Sequence, residues 1–307
     1  MSIAKPRKAS LVDTIGAGYR ALHRRLWVVS IPAAMSAYLW LGAPLVLAPL
    51  AAAVQGRLQQ AAAMLGSDAG AQARLVRNVL DADLRVALAW LNFVPVLAPA
   101  SAVAPRAAPI SLAGPLALLA AAGLINVAAL LISSVFLTLL AEAVRQEAPA
   151  LRHSLQRALR VAGDIALYLL SLVGAGVLLA LPLLAISALV IALVPMATLG
   201  VLLVWYIALF WAYVYTGFAP EAIVISRAGP LRAIASSVRI VRRDLAGTLG
   251  LLLVSFVISS GLAVIWRQLA QNPLGLAVAM LGSAYVGSGL SAARLEFYRE
   301  RILRWGG

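Results

Sequence analysis

The chain has 307 residues, 63% of them hydrophobic and only 12% charged, with no cysteine; its mean hydropathy is +0.95. A soluble domain carries about a quarter charged residues, so this chain has too little polar surface to cover a water-facing core. Composition excludes a disulfide scaffold, a cysteine metal centre and a thiol enzyme, and predicts an all-α, polytopic helical membrane bundle.

Charge-free runs mark the crossings. They extend over Leu26–Gly56, Ala107–Ala141, Ile165–Pro220, Leu245–Trp266 and Gln268–Ala293. About 20 apolar residues cross the hydrocarbon core, so four runs hold one crossing each. The third is too long for one, and Val194-Pro195-Met196-Ala197-Thr198-Leu199-Gly200 supplies a turn inside it. Six transmembrane helices follow, near 27–53, 112–140, 165–191, 197–219, 246–266 and 274–292. The runs lack the alternation of barrel strands.

In chain order, residues 1–25 form a cytoplasmic basic amphipathic helix. Ser10 and Asp13 pair as a helix start, and Leu11, Ile15, Tyr19, Leu22 and Leu26 make an apolar stripe flanked by Arg20, Arg24 and Arg25. The first crossing occupies 26–53. An outer segment over 54–111 reads as a small amphipathic lid. Within it, residues 86–105 carry Asn92, Pro95, Pro99 and Pro105. Those prolines interrupt a helical ladder, so the stretch is interfacial or re-entrant rather than a seventh crossing. Crossings two to six fill 112–292, and residues 293–307 form a basic cytoplasmic tail.

Two further basic amphipathic helices stand between the crossings. Pro149 opens one whose apolar face is Leu151, Leu155 and Leu159, with Arg152, Arg157 and Arg160 beside it. Gly229-Pro230 opens another over Leu231, Ile234, Ala235, Val238 and Val241, with Arg232, Arg239, Arg242 and Arg243. These ten arginines, from Arg20 to Arg243, are candidate contacts to anionic headgroups of the inner leaflet; topological anchoring is the other reading. With both termini cytoplasmic, 19 of the 25 Lys and Arg lie inside. The net charge of +14 is thus assigned to topology and membrane lipids, with no nucleic acid among the partners.

The crossings carry no Asp, Glu, Lys, Arg or His, which argues against an ion-coupled pump. Gly275, Ala279, Ser283, Gly287 and Ser291 recur every four residues on the sixth crossing, and Ser255, Ser259 and Ala263 on the fifth. Small faces let helices approach closely in lipid, so these two crossings are expected to pair as a hairpin across Gln268–Pro273. Asn126 calls for an interhelical hydrogen bond. His23 and His153 lie on surface helices, and no catalytic or phosphate-loop motif is present. No cofactor, metal site or enzymatic activity is expected.

Phe218-Ala219-Pro220-Glu221, Gly229-Pro230-Leu231-Arg232-Ala233-Ile234, Ser237 and Val241-Arg242-Arg243, followed by Gly261-Leu262 to Trp266 and Ala293-Arg294-Leu295, resemble a bacterial family of six-span proteins related to the membrane domain of glycerophosphoryl diester phosphodiesterases. The match covers the carboxy-terminal third in detail and the rest in topology alone. In that family the phosphodiesterase is a separate soluble domain, with no counterpart in this sequence. The resemblance implies an inner-membrane module near lipid metabolism or envelope maintenance, without the hydrolase chemistry. The expected role is a non-enzymatic accessory or scaffold contacting lipids or other membrane proteins; the alternative is a permease component for a lipid-like or apolar solute.

Overall fold

The computed structural model describes residues 10–46, 83, 85, 93–99, 108, 110–112, 114–148 and 151–305. The fold is all-α. In chain order the helices are α1 (Leu11–His23), α2 (Ser30–Leu41), α3 (Pro115–Arg145), α4 (Leu151–Leu193), α5 (Thr198–Thr216), α6 (Ala219–Ser226), α7 (Pro230–Arg243), α8 (Leu245–Leu269) and α9 (Pro273–Trp305). A two-residue parallel pair, β1 (Leu45–Val46) with β2 (Ile110–Ser111), is the sheet among the described residues.

Local chemistry explains the starts and stops. Ser10 and Asp13 form the reciprocal box, each backbone N–H donating to the other's side chain at 3.1 Å. Asn272 Oδ1 accepts from the Gly275 N–H at 2.7 Å and Pro273 opens α9. The 3₁₀ turn Pro195–Ala197 separates α4 from α5 at the predicted turn.

Among the described residues, five helices are long and apolar enough to cross a bilayer: α3, α4, α8, α9 and the stretch from Pro195 through α5 and α6. The chain is thus a multi-pass membrane protein. The first predicted crossing, 27–53, is corrected in helix length, and its residues 47–53 lie outside the described residues. A 3₁₀ turn from Leu26 leads into α2, which ends at Leu41. The helix Leu26–Leu41 is about 24 Å long at 1.5 Å per residue, short of a hydrocarbon core of about 30 Å. Gly42 and Pro44 stop it, and Pro44 contributes its carbonyl to the β pair by accepting from the Ile110 N–H. By contrast α4, at 43 residues, is about 65 Å long. Its basic first third therefore projects beyond the apolar slab.

The chain divides into two compact units. One comprises residues 29–133 and 261–288. Here Trp40, Leu97, Ala270, Leu276, Ala279 and Met280 form a core, with Trp266 and Leu269 against it. Residues 93–99 are irregular, and Val94 and Leu97 are buried. Leu97 has both backbone groups satisfied by α2: its N–H donates to Ser36 Oγ at 2.9 Å, and its carbonyl accepts from Trp40 Nε1 at 2.9 Å. This is how non-helical backbone is accommodated inside an apolar unit. The rest of the proline-rich stretch, and nearly all of the predicted lid, lies outside the described residues.

The other unit comprises residues 1–28, 134–260 and 289–307. Phe136 and Leu140 of α3, Ile165 of α4, Phe218 before α6, Val241 of α7, and Leu295, Phe297 and Tyr298 of α9 are buried in it. Beyond Tyr168, α4 and most of α5 leave their apolar side chains exposed, as lipid-facing helices do. Trp205 Nε1 donates to Ser187 Oγ at 3.0 Å and ties that hairpin together.

Candidate functional site

The charged groups converge in the second unit. Glu142, in the last turn of α3, is buried. Its Oε2 accepts from Arg25 Nη1 at 2.7 Å and from Ser154 Oγ at 2.8 Å, and its Oε1 from Arg157 Nη1 at 3.0 Å. Arg25 Nη2 also donates to the Glu147 carbonyl at 2.8 Å. One carboxylate thereby joins the end of α1, α3 and α4.

Glu147 forms a second node. Its carboxylate accepts from Arg157 Nη1 at 2.5 Å and, loosely, from Arg227 Nη2 at 3.5 Å. Arg145 Nε lies 3.0 Å away, at ion-pair distance but without hydrogen-bond alignment. Arg145 Nη1 instead caps α6, donating to the Val224 and Ile225 carbonyls at 2.9 and 3.1 Å. Partial burial pushes the Glu147 carboxyl up, but the Arg157 hydrogen bond and the charges of Arg145, Arg157 and Arg227 outweigh it. The net result lies below the usual carboxylate value.

Two further pairs close the unit. Arg294 Nε donates to Glu221 Oε1 at 2.7 Å, and its guanidinium lies over the Phe218 ring. Arg301, 1% exposed, donates from Nε and Nη2 to Asp244 Oδ2 at 3.2 and 3.1 Å. The Arg301 guanidinium also stands 3.9 Å over the Phe297 ring. Asp244 Oδ1 meanwhile accepts from the Gly247 N–H and starts α8.

The predicted headgroup arginines therefore separate into two classes. Arg25 is buried and Arg157 bridges two carboxylates, so both are structural, a correction with a plain electrostatic cause. Arg24 donates to the Ala143 carbonyl, Arg243 to the Trp305 carbonyl, and exposed Arg20 sits near Asp13. Arg152, Arg160, Arg232, Arg239 and Arg242 are exposed and have no acidic partner among the described residues.

The amphipathic stripes differ from expectation as well. On α1 the buried face is Thr14, Gly18, Ala21 and Leu22, because Gly18 brings α1 against the Ala293 backbone of α9. On α7 the inward residues Ala233, Ser237, Ile240 and Val241 meet protein, not acyl chains. Ser237 Oγ donates to the Tyr215 carbonyl at 2.7 Å and accepts from the Phe218 N–H at 3.1 Å. Of the predicted stripes, Leu155 and Leu159 on α4, Leu231 at the start of α7 and Leu26 beyond α1 remain exposed.

The small-residue positions serve several partners. Gly275 lies against the Leu269 carbonyl, Ala279 sits in the core, and Gly287 receives Pro95. Ser283 and Ser291 are half-buried. On α8, Ser255 and Ala263 are half-buried and Ser259 is exposed. Gly282, off the predicted ladder, takes the Trp266 ring and packs the turn end of the α8–α9 hairpin. Asn126 is exposed and donates to the Ala122 carbonyl of its own helix at 2.8 Å, and among the described residues it makes no interhelical bond of the kind expected.

Between α4 and α6 lies a cleft of about 270 Å³. Arg157, Arg160 and Asp164 line it from one face of α4, and Arg227 closes it from the end of α6. Arg227 sits in the left-handed region, with φ 51°. Sequence reasoning missed this residue, along with the anchors Glu142, Glu147, Glu221 and Asp244. Their one visible signal is that these rare carboxylates stand on the same segments as the arginines. Among the described residues no cluster of His, Asp and Glu could hold a metal ion. Comparison with family models, with curated proteins and with solved structures finds no match for this chain.

Proposed function

We propose that this chain is a non-enzymatic module of the bacterial inner membrane that contacts anionic lipids and acts as an accessory or scaffold within a larger membrane assembly. One observation carries the reading. After the buried carboxylates have taken Arg25, Arg157, Arg294 and Arg301, five guanidiniums on α4 and α7 remain exposed without an acidic partner among the described residues. An arginine near an anionic leaflet gains about 1 kcal/mol. These helices adjoin long apolar ones, which puts their charge at headgroup depth. The bias of cations to one side of the six predicted crossings supports both termini lying in the cytoplasm. The resemblance to the phosphodiesterase-linked membrane family agrees with a role near lipids.

The test is the lipid that accompanies the purified full chain. In mild detergent, mass spectrometry should find anionic phospholipid enriched over its share of the source membrane. Replacing Arg152, Arg232, Arg239 and Arg242 together with Gln should reduce that enrichment. Lipid of bulk composition on the wild-type chain sinks the proposal.

A further inference from the structure

The α4–α6 cleft has features that general membrane anchoring does not require. Arg157, Arg160, Val161 and Asp164 are spaced to share one face of α4. Val161 and, from α6, Ile223 give it an apolar wall. The volume of about 270 Å³ lies below the roughly 300–1,000 Å³ of pockets that enclose drug-sized molecules. It suits a headgroup whose chains lie outside.

Its charge is unbalanced. Glu147 is shared by Arg145, Arg157 and Arg227, so no one of them is fully neutralised by it. The Arg227 side chain is 61% exposed and only 3.5 Å from that carboxylate at its nearest. Arg160 has no carboxylate within ion-pair distance among the described residues. These two guanidiniums are available to an anion, and paired guanidiniums suit phosphoryl oxygens.

Backbone geometry adds an independent argument. Arg227 caps α6 with φ 51° and ψ 35°, where glycine is unstrained and a residue with a Cβ is not. Gln146, beside Glu147, has φ 60°. The two non-glycine residues with positive φ among the described residues thus flank the same node, and strain of this kind points toward function. At the other end of the cleft Asp164 has no cationic partner among the described residues. A carboxylate at that position disfavours a bare phosphate and suits a hydroxyl beyond the phosphorus. Immediately past it, exposed Leu167 and Leu170 offer an apolar track along α4.

We propose that this cleft binds a phosphoester, the headgroup of a hydroxyl-bearing anionic phospholipid, with its phosphoryl oxygens on Arg160 and Arg227, its hydroxyl on Asp164 and its chains along α4. The assignment rests on the lipid-contact reading above. It is tested by thermal unfolding of the full chain in detergent with added phosphatidylglycerol, phosphatidylcholine or inorganic phosphate. Phosphatidylglycerol should raise the wild-type midpoint beyond phosphatidylcholine, and inorganic phosphate should not. Arg160→Gln should raise the half-saturating phosphatidylglycerol concentration about tenfold, the loss of one charge-assisted hydrogen bond. Arg227→Gly should weaken binding similarly while its lipid-free midpoint holds or rises, because strain is relieved. An equal response to inorganic phosphate overturns the lipid assignment in favour of a soluble anion. An unchanged phosphatidylglycerol response in both variants overturns the site. No phosphatidylglycerol response in a wild-type chain that still co-purifies with anionic lipid also overturns the cleft while sparing the wider reading. Co-purification at bulk composition defeats the wider reading itself.

Discussion

Arg25 Nη1 donates to Glu142 Oε2 at 2.7 Å, with only 8% and 3% of the two side chains exposed, and joins residues 117 positions apart. The two partners are not symmetric in consequence. Glu142 also holds Ser154 and Arg157, so its removal leaves Arg25 buried with only the Glu147 carbonyl to bond. Breaking a buried pair from one side costs about 3–5 kcal/mol. Glu142→Ala should fall in that range, and Arg25→Ala should cost less because Glu142 keeps two donors. Denaturant unfolding in detergent measures both. Equal costs, or an effect of Glu142→Ala below about 1 kcal/mol, would show that the network does not support the fold.

Glu147 sets a pH dependence whose sign is fixed. Its carboxyl titrates below the ordinary 4.5 in the folded chain. The unfolded state therefore takes up the proton first as pH falls. The stabilisation is complete above that ordinary value and disappears as pH drops through the lower folded one. Glu147→Gln should be less stable than wild type at neutral pH and show a shallower decline in acid. Unfolding midpoints across the acid range decide it; parallel curves for the two proteins would remove Glu147 from the linkage.

Two glycines of α1 should respond in opposite directions. A Cβ on Gly18 would strike the Ala293 backbone, which cannot yield, whereas one on Gly16 would meet only the tip of the Arg20 side chain at 3.3 Å. Gly18→Ala should destabilise by about 1–3 kcal/mol through overpacking. Gly16→Ala should stabilise by about 0.5–1 kcal/mol, since alanine loses less backbone entropy in a helix. Thermal unfolding of the two variants compares them. Equal shifts of the same sign would mean that α1 is not docked through Gly18.

These contrasts show which features were legible beforehand. The Ser10–Asp13 box and the Pro195 turn were readable because each is settled within a few residues. Five crossings were readable because uncharged length alone defines them. The helix of the first was drawn too long because composition continues past Leu41 while the helix does not: Gly42 is pressed against Arg85 and the Tyr38 carbonyl. Arg85 Nη1 and Nη2 cap that helix end by donating to the Tyr38 and Leu39 carbonyls at 2.9 and 3.2 Å. Arg25 and Arg157 looked like Arg152 and Arg160 because distance to a remote carboxylate has no sequence signature. The face of α1 was rotated for a similar reason, since close approach at Gly18 outweighed the larger stripe.

The irregular segment at Leu97 gives a prediction for the other unit. Ser36 Oγ accepts the Leu97 N–H and donates to the Pro32 carbonyl at 2.8 Å, while Trp40 Nε1 covers the Leu97 carbonyl. All of this lies in a buried environment, where an unsatisfied backbone group costs about 1–3 kcal/mol. Ser36→Ala strands the N–H and should cost about that much, although it removes only one oxygen. Trp40→Phe strands the carbonyl, keeps most of the apolar area in the core and should cost a similar amount. Both changes free the same residue, so the double variant should cost less than the two singles together. Hydrogen exchange at the Leu97 amide should quicken in each. Strict additivity, with exchange at Leu97 unchanged, would mean that α2 does not hold this segment in place.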